Sequence, residues 1–502
     1  MSRIFNNPIY GGQDPFVCKG DDGRYYSVAE TSDSKCIALY VSDSLIDRGV
    51  ESLVYVANEN GEDCADLWAP ELWHLNGKWY IYYAAAKATG FENWETHRMF
   101  VLEAEKPSGP YHFVGKLELG DAMSIDGTVM ELPDGRLILF YMRKVGENNC
   151  IYMAPMDSPT HISKEPVLLS KPEYTWEGQI NEGPFPIVRE GKVGLMYSAN
   201  AAHLSEYCIA YMMCSDSDHI LSPHSWKKLE KPIFTSIGDI VGPGHACIVP
   251  SPDNREDWLV FHSKFDRDYT LPGGWNRVVN LAKINWQANG VPQFSVEHCY
   301  DISMCAPSGE KDLNDGESVT ISPYSMYHEF CEYRYFRDYT IKCNNSFLEI
   351  NSYDALDYGD KILIRNKKYT DFKAKFTFEI NSKTGEAVFL FRVTNPATGI
   401  MRWNGYGITV NSKGTICLIR SDRSRVLLAK ADTNLYDKIC FEVEAVQDVI
   451  TIKHNDKVII SVCDNTYSCG QVGFAAFDSK CDFYDLDINV YNDTSQGGQL
   501  YA

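Results

Sequence analysis

The sequence predicts an all-β protein: a five-bladed β-propeller over residues 1–300, a linker over 301–320 and a β-sandwich over 321–502. Three observations predict this. One layout, of roughly 56 residues, recurs five times in the first part of the chain, and internal repetition of that size signals stacked units. The last third alternates apolar and polar residues between Asn- and Gly-containing turns, the period of half-buried strands. Apolar residues make up 44% and aromatic residues 13% of the 502, which supplies packed cores and excludes a disordered or fibrous chain.

The repeats begin at Asp14-Pro15-Phe16, Ala69-Pro70-Glu71, Asp126-Gly127-Thr128, Glu182-Gly183-Pro184 and His245-Ala246-Cys247, at intervals of 55, 57, 56 and 63 residues. Each start leads to a turn: Asp22-Gly23, Asn76-Gly77, Asp134-Gly135, Glu190-Gly191 and Asp253-Asn254. Such pairs supply the positive φ that tight hairpins need. Each turn feeds an apolar-aromatic strand, for example Lys78-Trp79-Tyr80-Ile81-Tyr82-Tyr83 and Asp257-Trp258-Leu259-Val260-Phe261-His262. A unit of this length holds about four strands of ordinary size. Units that cannot bury both faces alone must stack, and radial stacking leaves only short, protected edges. Trp79 and Trp258, inside strands, are read as packing between blades.

The charge balance, 47 Lys+Arg against 68 Asp+Glu, gives a net −21. That argues against nucleic acid or an anionic membrane as the main partner, since both reward clustered cations. It leaves room for a neutral ligand, and sugar is the neutral ligand that aromatic-rich surfaces usually hold. No apolar run is long enough to span a bilayer. The start, Met1-Ser2-Arg3-Ile4-Phe5-Asn6-Asn7-Pro8, lacks the apolar stretch of a secretory signal. The 16 cysteines are scattered with no CxxC, and the 12 histidines form no HExxH or finger-like spacing. Reduced cysteines in a cytoplasmic protein are therefore expected.

In a ring of blades, equivalent positions converge on one end of the axis. Those positions are Asp14, Ala69, Asp126, Glu182 and His245, three of them carboxylates. Singly, each acid reads as a turn residue or a solvated loop. Gathered in one place they repel, and a fold bears that for a reason. The two common reasons are a bound cation and acid–base chemistry on a glycosidic bond, where one carboxyl protonates the leaving oxygen and another activates water or attacks carbon. Phe16, Trp68, Trp73, Trp94 and Trp176 flank the repeat starts and offer faces for sugar rings.

Together, Gln13-Asp14-Pro15-Phe16, Trp68-Ala69-Pro70-Glu71, Ser124-Ile125-Asp126-Gly127-Thr128, Asn181-Glu182-Gly183-Pro184 and Gly244-His245-Ala246 resemble glycoside hydrolase family 43, in the family's order. Asp66-Leu67-Trp68-Ala69-Pro70-Glu71-Leu72-Trp73 looks most like its exo-acting α-L-arabinofuranosidases. The resemblance implies an inverting mechanism on small arabino-oligosaccharides, with Asp14 as general base, Glu182 as general acid, and Asp126 holding Glu182 and raising its pKa. An inverting pair stands roughly 6.5–9.5 Å apart to admit water. Phe16, Trp68 and Arg277 (in Trp275-Asn276-Arg277-Val278) are expected to bind substrate; the other reading of Arg277 is a salt bridge closing the last blade. No cofactor is required. His245 resembles a histidine that helps coordinate a calcium ion or a water cluster in the channel, the other reading being a neutral histidine satisfied by backbone. The alternatives in function are a β-xylosidase of the same family and a sugar-binding propeller without turnover.

In the C-terminal part, Phe372-Lys373-Ala374-Lys375-Phe376-Thr377-Phe378 and Ile450-Thr451-Ile452-Lys453-His454 alternate as antiparallel strands do. Gly470-Gln471-Val472-Gly473-Phe474-Ala475-Ala476-Phe477 and Phe483-Tyr484-Asp485-Leu486-Asp487-Ile488 resemble laminin-G or concanavalin-like jelly rolls. Trp403-Asn404-Gly405-Tyr406 reads as an ordinary hairpin or a binding loop, and no catalysis is assigned to this region.

Overall fold

The computed structural model describes residues 3–31, 33–264, 277–323, 325, 329–333, 341–344, 346–352, 360–434 and 438–491. The chain divides into two units, Asn7–Glu310 and Met1–Asn6 with Lys311–Ala502. Trp275 and Asn276 of the last propeller motif lie outside the described residues.

The first unit is a propeller of five antiparallel sheets. Blade one comprises Phe16–Lys19, Tyr25–Glu30, Cys36–Ser42 and Val50–Val56 in that order. Blade two comprises Ala65–Leu75, Lys78–Ala86, Arg98–Ala104 and His112–Lys116. Blade three begins with Ser124–Glu131, Leu137–Val145 and Asn148–Ser158, and blade four with Asn181–Arg189, Lys192–Ala199 and Cys208–Cys214. Blade five is built from Val241–Pro250, Asp257–Lys264 and Arg277–Trp286, and Tyr10–Gly11 pairs with Val278–Val279 at its edge. The ring thus closes by lending residues from before the first repeat to the last blade, a long-range pairing that the repeat period alone does not reveal.

The hairpins form where the turn chemistry asks for them. Asn76 and Gly77 have φ of 51° and 77°, and Glu190 and Gly191 have φ of 50° and 75°, so both central residues are left-handed and match the twist of the flanking strands. Blades one, three and five share another device: Asp22, Asp134 and Asp253 accept the backbone N–H of Arg24, Arg136 and Arg255 at 3.1, 3.1 and 3.2 Å. The same aspartates take the guanidinium Nε of those arginines at 2.7, 2.7 and 2.6 Å, tying each turn. Between blades two and three, Tyr82, Met99, Val129 and Leu139 are buried together; Phe140, Met153, Leu195 and Tyr197 do the same between blades three and four. A fully buried side chain of the Leu139 or Leu195 kind contributes about 1.5–3 kcal/mol by leaving water. Trp79 and Trp258 are buried as expected.

The second unit holds an eight-stranded and a seven-stranded antiparallel sheet, the two layers of a β-sandwich. Along Phe372–Ile380 the burial alternates, with Phe372, Ala374, Phe376 and Phe378 inside. Phe376 stacks on Phe389 of the other sheet at 4.2 Å, and Phe474 on Phe483 at 4.4 Å, so the interior is an aromatic stack between layers. Tyr406 is fully buried in that interior and Trp403 in a second cluster with Val388 and Leu390, which makes their segment packing rather than a binding loop. Residues 301–320 are not a bare tether. Ser308 donates to Asp253 at 2.6 Å within the first unit, while Val319–Ile321 pairs with Leu486–Ile488 within the second. Among the described residues no cysteine forms a disulfide. Among the described residues no helix is long and apolar enough to cross a membrane.

Candidate active site

The repeat starts adopt one unusual backbone state. Asp14, Ala69, Asp126, Gly183 and His245 have φ of 43°, 44°, 58°, 50° and 39°. Left-handed non-glycine residues are uncommon and store strain of order 1–3 kcal/mol, which the surrounding structure must over-determine. In blades two to five this residue sits at a bulge in the first strand, between Trp68 and Glu71, Ile125 and Thr128, Glu182 and Phe185, and Gly244 and Ala246. A bulge re-aims side chains while leaving the outer ladder in register.

This corrects the repeat alignment in blade four. The residue matching Asp14 and Asp126 is Gly183, and Glu182 precedes it. The reason is local crowding: a Cβ at Gly183 would lie 3.1 Å from His245 Cγ. With glycine there, its N–H reaches Asp126 Oδ2 at 2.9 Å, joining blades three and four next to Glu182.

One cavity of about 550 Å³ is lined by Asp14, Asp126, Glu182, His245, Arg277 and Trp68. The three carboxylates singled out in the sequence therefore share a single space, of a size usual for small-molecule sites. Arg277 Nη1 donates to Asp14 Oδ1 at 2.8 Å, and His245 Nδ1 stands 3.2 Å from the same oxygen. His262 Nδ1 lies 3.1 Å from the Asp14 backbone nitrogen and 3.2 Å from Asp14 Oδ1. Behind Arg277, Nη2 donates to Gln13 Oε1, and Gln13 Nε2 donates in turn to Glu30. Tyr207 Oη donates to Glu182 Oε1 at 2.9 Å.

These contacts drive the carboxyls apart in acidity. Burial opposes ionisation of Asp14, but the Arg277 guanidinium, the His245 charge and the two histidine contacts outweigh it and hold the carboxyl well below its usual range. Glu182 goes the other way: burial first, then the Asp126 charge, push it up to about 8, against the opposing pull of Tyr207 and His245. Asp126 is raised by burial, with His245 opposing and Asp14 adding. For His245 the burial penalty is overcome by Asp14 and Asp126, and its pKa rises to about 10. Burial, with help from Arg277, sends His262 down to about 3, so it stays neutral. At neutral pH one cavity thus presents an ionised carboxylate, Asp14, and a protonated carboxyl, Glu182. Divergent acidities of this kind mark acid and base roles.

The remaining expected residues divide. Trp68 lines the cavity, stacked on His97 at 3.8 Å and edge-on to Trp94 at 5.3 Å. Arg277 faces the cavity and makes its ion pair with Asp14. Phe16 requires correction as a substrate contact: it is buried against Trp73 and Phe185, with ring centroids 5.4 and 6.5 Å away. Its strand position points it into the packing between blades. Trp73 donates to Glu71 at 2.8 Å, and Trp176 stacks on Tyr174, so neither lines the cavity.

His245 turns its Nδ1 to Asp14, and among the described residues no group of three or more His, Cys, Asp or Glu is spaced to hold a metal ion.

Sequence reasoning missed Tyr207, His262, Gln13, Glu30 and Glu71. Burial raises both Glu30 and Glu71 to about 7. His262 and Glu30 had a visible signal, a titratable residue at the end of an apolar strand; Tyr207 had none. His97, fully buried, places its two ring nitrogens 2.8 and 3.0 Å from the carbonyls of Trp94 and Asp66, and so braces the aromatic wall from behind.

The family model described as glycosyl hydrolases family 43 matches residues 5–292. The chain belongs to that family. A curated relative, the extracellular exo-α-(1→5)-L-arabinofuranosidase of Streptomyces avermitilis, is 32% identical over 314 residues, which cover 59% of this chain and 64% of the relative. The match thus spans less than two thirds of that relative's length. The crystal structure of an α-L-arabinofuranosidase from Lactobacillus brevis is similar with a TM-score of 0.54 at 29% identity, over 58% of this chain and 96% of the other. A family-43 protein of Bacillus licheniformis shares the fold over 97% of this chain and all of its own, with a TM-score of 0.51 at 14% identity. The expectation of a cytoplasmic protein is overturned by these relatives: the Streptomyces avermitilis enzyme is named extracellular, and so is that of Streptomyces chartreusis. Scattered cysteines do not fix a compartment.

Proposed function

We propose that this family-43 chain is an inverting, exo-acting α-L-arabinofuranosidase that releases terminal arabinofuranose from arabino-oligosaccharides. The observation that carries the reading is the pair of opposed carboxyls in one cavity, Asp14 ionised and Glu182 protonated. Asp14 takes a proton from water as the water oxygen bonds to the anomeric carbon. Glu182 gives its proton to the glycosidic oxygen as the carbon–oxygen bond breaks, and the leaving sugar departs as a neutral alcohol. Asp126 raises the pKa of Glu182 through its charge and fixes the blade-four backbone through the Gly183 N–H. Arg277 keeps Asp14 anionic and stands where substrate hydroxyls would meet it. The sugar specificity is supported by the names of the Streptomyces avermitilis and Lactobacillus brevis proteins.

The test is turnover of aryl α-L-arabinofuranoside and aryl β-D-xyloside by wild type, Asp14→Asn and Glu182→Gln, with the first-formed anomer followed by NMR. The expected result is arabinoside preference, inversion at the anomeric carbon, and loss of at least a hundredfold in kcat for both variants on an unactivated oligosaccharide. Retention of configuration, or wild-type rates in both variants, overturns the assignment.

A further inference from the structure

Of the large apolar side chains that the described residues expose, Phe91 is the most exposed, at 77%, and it is the one that also lines the catalytic cavity. An aromatic ring left this open does nothing to stabilise the fold, since it stays in water. Its place is on a short 3₁₀ turn, Phe91–Thr96, between the second and third strands of blade two. The ring lies 4.5 Å from that of Trp94, which meets Trp68 edge-on, so three aromatic side chains form one continuous wall that ends at the rim.

The turn is braced. Asn93 Nδ2 donates to the Thr89 carbonyl at 2.9 Å, Thr96 Oγ1 to the Asn93 carbonyl at 2.6 Å, and the His97 N–H to the Trp94 carbonyl at 3.1 Å. Lys144 of blade three pairs with Glu95 on the same turn. An exposed ring held by such contacts is preorganised, and preorganisation lowers the cost of binding.

We infer that Phe91, with Trp94 beside it, is the platform for the sugar ring on the leaving-group side of the scissile bond. The inference rests on the exo-acting function proposed above and names what lies beyond the cleaved unit. Asp126, His245 and Arg277 are buried and Asp14 is largely covered, and all four line the cavity, the end where the reacting carbon would sit. In a pocket that takes one terminal sugar, whatever extends past the rim is the leaving group. The flat apolar face at that rim suits the C–H face of a second sugar, and the substrate class is an oligosaccharide of at least two units.

The experiment compares α-(1→5)-linked arabinobiose with methyl α-L-arabinofuranoside, which has no leaving-group sugar, in wild type, Phe91→Ala and Phe91→Trp. Phe91→Ala is expected to lower kcat/KM on arabinobiose about five- to tenfold, mainly through KM, and to leave the methyl glycoside unchanged. Phe91→Trp is expected to restore the arabinobiose value. Equal change on both substrates, or none on either, overturns this inference while leaving the proposed function standing. Wild type that cleaves neither arabinoside overturns both. An unchanged melting temperature in Phe91→Ala is expected, because the side chain is exposed.

Discussion

Replacing Tyr207 by Phe tests the electrostatics of the site at one atom. The Tyr207 hydroxyl donates to Glu182 Oε1 at 2.9 Å. A hydrogen bond to an ionised acceptor contributes roughly 1.5–3 kcal/mol, against about 0.5–1.5 for a neutral one. Tyr207 therefore favours the carboxylate of Glu182 over its acid by about 1–1.5 kcal/mol, which corresponds to about one pH unit. In the proposed mechanism the acid is the working form, so the sign is fixed: losing the hydroxyl raises the pKa of Glu182 above its value of about 8. The assay is kcat/KM against pH on an arabino-oligosaccharide. Wild type should lose activity through about pH 8 as Glu182 gives up its proton, and Tyr207→Phe should carry that alkaline limb about one unit higher. The acid limb should not move, since Asp14 makes no bond with Tyr207. A limb that stays in place or shifts downward refutes the assignment of Glu182 as the acid under Tyr207.

Asp126→Asn should do the opposite. Its charge is the largest influence on Glu182 after burial, so removing it moves the alkaline limb of the residual activity to lower pH, read in the same assay. Glu182→Gln should trade activity for stability in a pH-dependent way. Because the folded pKa of about 8 lies above the usual 4.5, wild-type stability declines as pH rises between those values; the glutamine variant escapes that decline. Thermal unfolding at pH 5 and pH 9 should show the variant gaining on wild type only at pH 9, by several kcal/mol; a gain equal at both values would show that Glu182 does not titrate late.

Much of the fold was legible because its signals are local. Asp22-Gly23, Asn76-Gly77 and Glu190-Gly191 place positive φ where hairpins turn, and the period set by the repeats needs no knowledge of distant contacts. The gathering of Asp14, Asp126 and Glu182 followed from the ring itself. What escaped was whatever depends on long-range neighbours. Tyr10–Gly11 joins the last blade because Val278 and Val279 present an open edge. Phe16, read as a sugar contact, is claimed by Trp73 and Phe185 from two other blades. Glu182 sits one residue off the repeat, because the left-handed position is taken by Gly183, where a Cβ would crowd His245, more than sixty residues on.

The chain's order of residues determined by itself a five-fold ring of antiparallel blades, a sandwich after it, and a carboxylate-bearing strand start in blades one, three and four. Repetition and turn preference act over a few residues, so they are written in the sequence. Only the tertiary structure decided which carboxyl keeps its proton. That choice is a balance between burial, the charges of Arg277, His245 and Asp126, and the Tyr207 hydrogen bond, and these energies depend on distances that folding alone creates.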